Sequence, residues 1–200
     1  MLGQGDTEGV FQLESSGMKQ VLVGLQPQNL EDVIALISLY RPGPMDSIPT
    51  YLRNRHEPDK ISYKTPQLAH ILDVTNGCIV YQEQVMQIFR ELAGFSFGQA
   101  DNVRRAMSKK KHAVMEAERE HFVHGCTEPG HECPGCVANG IPEQVANQIY
   151  DEMSSFASYA FNKSHAACYA YVAFQTAYLK CHYPSQFMAC LLYTSPSPRD

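Results

Sequence analysis

The sequence predicts a mainly α-helical fold with at most one or two short strands. Apolar residues recur at helical spacing in several separate segments, whereas a single short apolar run suits a strand. The helical segments lie at 29–40, 83–93, 98–123, 142–156 and 165–182. No internal repeat is visible, which excludes a solenoid. With 200 residues, 44% of them hydrophobic, the chain is long enough to bury a core.

The first predicted helix begins after Asn29 and runs to about Tyr40. Asn29 is a good N-cap, and acidic residues at 31–32 suit the positive end of a helix. The run Arg41-Pro42-Gly43-Pro44 must end it, because each proline disfavours helical geometry at the residue before it. We therefore expect a rigid turn that presents Arg41.

The middle of the chain contains one candidate strand. Residues 45–75 are polar and proline-containing, which predicts a connecting segment with short helices at most. The apolar run 78–81 is consistent with one brief strand. A helix is predicted over Glu83–Ala93, with Gly94 ending it.

Three further helices are predicted in the second half of the chain. A continuous, increasingly charged helix is expected from Gly98 to about Val123, followed by a loop rich in Gly, Pro and Cys at 126–140. Pro142 at a first helical position opens the next helix. Ser164 is expected to cap the last one, from His165 to about His182.

The chain has a concentrated cluster of positive charge although its net charge is −5. The cluster comprises Arg104, Arg105, Lys109, Lys110 and Lys111. On a helix, Asp101 could neutralise either arginine, but the lysines have no acidic residue three or four positions away. An anionic partner such as phosphate would relieve their mutual repulsion. The alternative is a solvated helix face.

A second candidate site for phosphate lies where a loop enters the last helix. Its polar residues are Asn162, Lys163, Ser164 and His165, and the aromatic residues Tyr159 and Phe161 precede them. A helix N-terminus offers backbone N–H groups and partial positive charge to an anion, and flat rings can stack on a base. In the alternative interpretation, Ser164 is only an N-cap and His165 a satisfied, partly buried histidine.

The cysteine-rich loop is a candidate zinc site. Cys133 and Cys136 form a C-x-x-C knuckle, and Cys126 with His131 or His124 could complete tetrahedral coordination. The alternative is a surface loop whose thiols are free or redox-labile. An odd total of seven cysteines makes a disulfide framework a poor interpretation. Without a secretory signal or a long apolar run, a cytoplasmic protein that does not span a membrane is expected.

Five motifs, in the same order, closely resemble the alpha subunit of bacterial DNA polymerase III, the family C polymerases. They are Gly5–Ser15, Leu39–Pro44, Tyr81–Met86, Arg104–Lys111 and Phe161–Ala166. The resemblance covers about residues 5–192. It implies a palm-to-fingers junction at 1–28 and a helical fingers domain at 29–192, with the Cys-rich loop at 124–140 as an addition. Residues 193–200 depart from the family pattern and are interpreted as a non-native tail.

By that resemblance the chain is a piece of a DNA-directed DNA polymerase of replication, a nucleotidyltransferase. The resemblance assigns Arg41, Tyr159, Asn162, Lys163, Ser164 and His165 to the incoming deoxynucleoside triphosphate (dNTP). It assigns Arg104, Arg105, Lys109, Lys110 and Lys111 to phosphates of primer–template DNA or of the nucleotide.

The same resemblance places the catalytic carboxylates, which hold Mg²⁺ in such polymerases, upstream of the first motif and outside this chain. Contacts with the sliding clamp and other replicase subunits are expected in regions absent here. A rival interpretation is a non-catalytic helical nucleic-acid-binding module, with or without a zinc-stapled loop. A metalloenzyme built on the cysteine loop is a weaker rival, because four protein ligands leave zinc no open position for substrate.

Overall fold

A computed structural model describes residues 1–109, 112–157 and 161–194 of the chain. These residues form eleven α-helices and no β-strand, which confirms the mainly α prediction. The helices are α1 (Ser16–Leu25), α2 (Leu30–Leu39), α3 (Ile48–His56), α4 (Ala69–Leu72), α5 (Gln82–Ala93), α6 (Phe97–Ser108), α7 (His112–His124), α8 (Gly135–Ala138), α9 (Glu143–Ala157), α10 (Lys163–His182) and α11 (Pro184–Thr194). None of the described helices combines the length and the apolar character that a membrane span requires.

Helices with strong local signals begin and end close to their predicted positions. The side chain of Asn29 accepts a hydrogen bond from the Asp32 N–H, as expected of the N-cap of α2. At the other end of α5, Gly94 adopts the left-handed conformation, with φ 74°, and its N–H donates to the carbonyls of Arg90 and Phe89. A side chain at this position would be strained, which explains the glycine.

The predicted strand at 78–81 is wrong. Tyr81 makes an isolated parallel bridge to Phe161, and the residues before it pair with no strand in the described chain. A buried side chain takes the place of a strand partner: Gln84 Oε1 accepts from the N–H groups of Val80 (2.9 Å) and Tyr81 (3.0 Å). An apolar run can thus be buried without belonging to a sheet.

The single helix predicted from Gly98 to Val123 is also wrong, because α6 ends at Ser108 and α7 starts at His112. Both helices contribute to one core, through Val103 of α6 and Phe122 of α7. Nineteen residues of straight helix would separate these two side chains by about 28 Å. The chain must therefore turn back between them.

Two predicted helix starts differ from the structure by one or two residues. Pro142 precedes α9, which begins at Glu143, and its carbonyl accepts from the Ala146 N–H. Helix α10 begins at Lys163, so Ser164 lies inside its first turn and does not cap it. The reason is a different acceptor at this helix start, the Glu83 carboxylate.

The chain divides into two compact units, 1–40 with 164–200, and 41–163. In the described part of the first unit, the N-terminal segment lies along α10. The Phe11 N–H donates to Thr176 Oγ1 at 3.1 Å, the Lys180 ammonium pairs with Asp6, and the Phe11 ring lies 5.4 Å from that of Tyr169. Four alanines of α10 are fully or almost fully buried, at 166, 170, 173 and 177.

The second unit has a continuous hydrophobic core to which α4 through α9 contribute. At its centre the ring of Phe89 lies 5.0 Å from that of Phe122 and 6.0 Å from that of Tyr150. All three rings are almost completely buried. Their packing fixes the rotation of α5 about its axis, and thereby the direction in which the polar first turn of α5 faces.

Candidate functional site

The start of α5 and the start of α10 meet in the second unit at six residues, which we call the α5–α10 junction. They are Tyr81, Gln82, Glu83, Phe161, Asn162 and Lys163. The Gln82 N–H donates to the Phe161 carbonyl at 3.0 Å, beside the bridge between Tyr81 and Phe161. Two sequence motifs that are about 80 residues apart therefore form one local structure.

Glu83 binds the N-terminus of α10. Its Oε1 accepts from Asn162 Nδ2 at 2.9 Å, and its two carboxylate oxygens accept from the Lys163 backbone N–H at 3.2 and 3.1 Å. A carboxylate there is favoured by the helix dipole. The position that the sequence suggested for phosphate is thus taken by a protein anion. A phosphate at the junction would have to bind side-chain cations.

Two cations lie against aromatic rings of the junction. The Lys163 ammonium is 5.3 Å from the centre of the Tyr81 ring, and the Arg41 guanidinium is 4.2 Å from the centre of the Phe161 ring. Partial burial lowers the pKa of Arg41, although an arginine remains charged at neutral pH. The ring faces attract and orient these cations. The turn at 41–44 and the start of α10 thereby supply two oriented positive charges.

The remaining residues of the predicted nucleotide site lie elsewhere in the structure or outside its description. Ser164 and His165 belong to the first unit, and both are exposed. The His165 ring lies 4.4 Å from that of Tyr169, one turn later in α10. Tyr159 lies outside the described residues. The roles predicted for these three residues stay predictions.

Within the basic cluster, Asp101 binds both arginines at once. Arg104 Nη2 and Arg105 Nη2 each lie 2.7 Å from a different oxygen of this carboxylate. Hydrogen bonds from Arg104, reinforced by Arg105, lower the pKa of Asp101. Arg104 also donates to Gln82 Oε1 at 3.1 Å, so its guanidinium is fixed beside the α5–α10 junction.

The other positive charges of the cluster point to solvent or are not described. The side chain of Arg105 is 64% exposed, and it lines a cavity of about 250 Å³ together with Asn102 and Lys109. Lys109 makes no ion pair with a carboxylate of the described chain, as the sequence spacing predicted. Lys110 and Lys111 lie outside the described residues.

The predicted zinc ligands are all described, but the structure does not assemble them. Cys126 and Cys133 exchange backbone hydrogen bonds of 2.9 Å across an antiparallel bridge, and Gly135 approaches Gly125 too closely to tolerate a side chain. Burial raises the pKa of Cys133, and it raises that of Cys136 to about 12, so both are thiols here.

Zinc binding at this loop would require those thiols to lose their protons. Within residues 1–109, 112–157 and 161–194, no group of three or more His, Cys, Asp or Glu side chains is placed to hold a metal ion. The zinc site, with His131 as a ligand, stays a prediction. Metal analysis of reduced protein tests it, with about one equivalent of zinc expected and no zinc contradicting it.

Sequence reasoning missed the residues that build the junction from the α5 side. One motif contains three residues with different roles. Gln82 accepts from Arg104, Glu83 is the anion at the start of α10, and the buried Gln84 side chain accepts from the backbone N–H of Val80. The available signal for Glu83 was an acidic residue in the first turn of a predicted helix. Its partner 79 or 80 positions away was invisible in the sequence.

Comparisons with known proteins agree with the motifs. The family model described as "Bacterial DNA polymerase III alpha subunit finger domain" matches residues 1–130. The DNA polymerase III subunit alpha of Thermus aquaticus is 51% identical over 197 residues, covering 96% of this chain and 15% of that protein. The same subunit of Staphylococcus epidermidis (strain ATCC 12228 / FDA PCI 1200) is 48% identical over 192 residues, covering 96% and 17%.

The chain thus spans about a sixth of the length of these curated relatives. Identity near one half extends over 96% of the chain. On this evidence the chain belongs to the finger-domain family of bacterial DNA polymerase III alpha subunits.

Proposed function

We propose that this chain binds the incoming dNTP and primer–template DNA as the fingers region of a replicative DNA-directed DNA polymerase. The observation that carries the proposal is the pair of oriented cations at the α5–α10 junction, Arg41 over Phe161 and Lys163 over Tyr81. Cations held in place suit a polyphosphate, because little reorganisation is then needed when the ligand binds.

The proposed nucleotide contacts differ from those of a simple helix N-terminus. Because Glu83 already accepts from the Lys163 backbone N–H, the triphosphate would bind the Lys163 ammonium and the Arg41 guanidinium. Ser164 and His165, the next residues of α10, and Tyr159 are proposed to complete the nucleotide contacts, as the sequence predicts. In phosphoryl transfer such residues act by positioning and charge stabilisation and form no covalent bond.

The proposed DNA contacts are the exposed cations of the basic cluster. Arg105 and Lys109 line one cavity and would bind backbone phosphates, with Lys110 and Lys111. Changing Lys109 to Gln in the full-length polymerase should weaken binding to all DNA sequences alike and reduce the salt dependence by about one unit of slope. An unchanged slope of affinity against salt concentration would contradict the DNA contact and favour the alternative, in which Lys109 is only solvated.

Divalent metal ions would supply the Lewis-acid chemistry of the full-length polymerase, with Mg²⁺ as the proposed ion. The described residues of this chain contain no group of carboxylates placed to hold one, and no step at a metal is assigned to them. We further propose that the full-length polymerase contacts the sliding clamp and other replicase subunits and that it is cytoplasmic. The rival interpretation, a non-catalytic nucleic-acid-binding module, is not favoured, because the chain belongs to a polymerase family.

The experiment that tests the proposal changes Lys163 to Ala in the full-length polymerase. Loss of one charge-assisted phosphate contact should weaken dNTP affinity about 10- to 100-fold. Changing Lys60 to Ala is the matched control, since its side chain is 74% exposed and its ammonium pairs with Glu57 at the surface. If both variants bind dNTP as the wild type does, the proposed site is wrong.

A further inference from the structure

A groove between α5 and α6, within the second unit, lies beside the proposed nucleotide site. We call it the α5–α6 groove; its volume is about 480 Å³. At one end it is lined by Gln82, Glu83, Arg104 and Asn162, and at the other by Arg90 and Phe97. From Gln82 to Arg90 the axis of α5 advances about 12 Å. That is about the rise of three to four stacked nucleotides of one strand.

The far end of the groove has an exposed aromatic ring with a cation against it. Phe97, at the start of α6, is 65% exposed, although it is a large apolar residue. The Arg90 guanidinium lies 5.9 Å from the centre of this ring. An open ring beside a guanidinium is the combination on which unpaired bases stack while their phosphates are neutralised.

The charges along the groove leave Arg90 available for a ligand. The Asp101 carboxylate is bound by two arginines, Glu83 binds the start of α10, and Glu91 pairs with His70. Arg90, by contrast, has no carboxylate partner within the described part of the chain. A phosphate next to a stacked base would provide one.

We propose that the α5–α6 groove binds an unpaired nucleotide of single-stranded DNA, with its base stacked on Phe97 and its phosphate on Arg90. The inference rests on the proposed function, since the other end of the groove is the α5–α10 junction. The single-stranded DNA would be the template strand that continues beyond the nucleotide being copied. Gln87, on the groove wall, would contact the base edge.

The test compares two DNAs bound to the full-length polymerase: a primer–template with a four-nucleotide template overhang, and the same duplex with a blunt end. Changing Phe97 to Ala should weaken binding of the overhang DNA about 5- to 140-fold, the range expected for loss of one stacked base. Affinity for the blunt duplex should not change. Changing Phe97 to Tyr should preserve affinity for both DNAs, because the ring remains.

The control is Phe174→Ala, which removes an aromatic ring of similar exposure, 53%, far along α10 in sequence. Equal binding of the overhang DNA by Phe97→Ala and wild type would overturn the proposal. An equal loss of affinity for both DNAs would also overturn it. A loss of dNTP affinity alone would overturn it too, because the incoming base would then occupy the groove. Failure of the Lys163 experiment is a separate result, since it concerns dNTP affinity and not the overhang.

Discussion

Glu83 offers the sharpest test of how the nucleotide site is held in place. Changing it to Ala removes the acceptor of the Asn162 side chain and of the Lys163 backbone N–H, at 2.9 and 3.1–3.2 Å. Each hydrogen bond to a charged group is worth about 1.5–3 kcal/mol. Because Glu83 is exposed to solvent, we expect each of its two interactions to contribute near or below the lower limit of this range. We expect a total loss of about 1–3 kcal/mol at the start of α10.

The assay is amide hydrogen exchange of the full-length polymerase, followed in a peptide that covers residues 161–165. A local loss of about 1–3 kcal/mol should accelerate exchange there about 5- to 140-fold. Changing Glu91 to Ala is the matched control, since this carboxylate lies on the same helix and pairs with His70. Unchanged exchange in Glu83→Ala, or equal acceleration in both variants, would refute the reasoning.

Three further predictions concern stability and thiol chemistry. Changing Gln84 to Leu leaves two buried backbone N–H groups without an acceptor. This should lower the free energy of unfolding by about 2–5 kcal/mol. The control, Gln87→Leu, should change it by less than about 0.5 kcal/mol. The lowered pKa of Asp101 gives stability that is present above its unfolded pKa and lost as pH falls through its folded pKa. Denaturant titrations from pH 5 to pH 2 should therefore show a smaller acid loss for Asp101→Asn than for wild type. At pH 8.5 a thiol reagent should modify exposed Cys168 in the native protein but reach Cys136, with its pKa raised to about 12, only after unfolding.

Features with a local cause were predictable from the sequence. The N-cap at Asn29 and the glycine at the end of α5 each act within four residues, so their patterns identify helix ends. The basic cluster was equally visible, with Asp101 predicted as a partner for either arginine; the structure pairs it with both.

Features that depend on distant partners were not predictable. The sequence between Val103 and Phe122 has the pattern of one continuous helix, so it predicted no break. The break between α6 and α7 follows from burying both side chains in one core. Helix α10 begins before Ser164 because Glu83, 80 residues earlier than Lys163, supplies the missing acceptor. The strand predicted at 78–81 failed for a local reason instead: the Gln84 side chain, three to four residues later, accepts from the backbone N–H groups of Val80 and Tyr81.

The central claim is that dNTP binds at the α5–α10 junction, and hydrogen exchange on a stalled complex measures it most directly. The full-length polymerase would be bound to a primer–template whose primer lacks a 3′ hydroxyl, and the next matching dNTP would then be added. We expect slower exchange in peptides covering residues 81–84 and 161–165, and no change in the loop at 126–134. No slowing at the junction, or the same slowing with a mismatched dNTP, would contradict the claim.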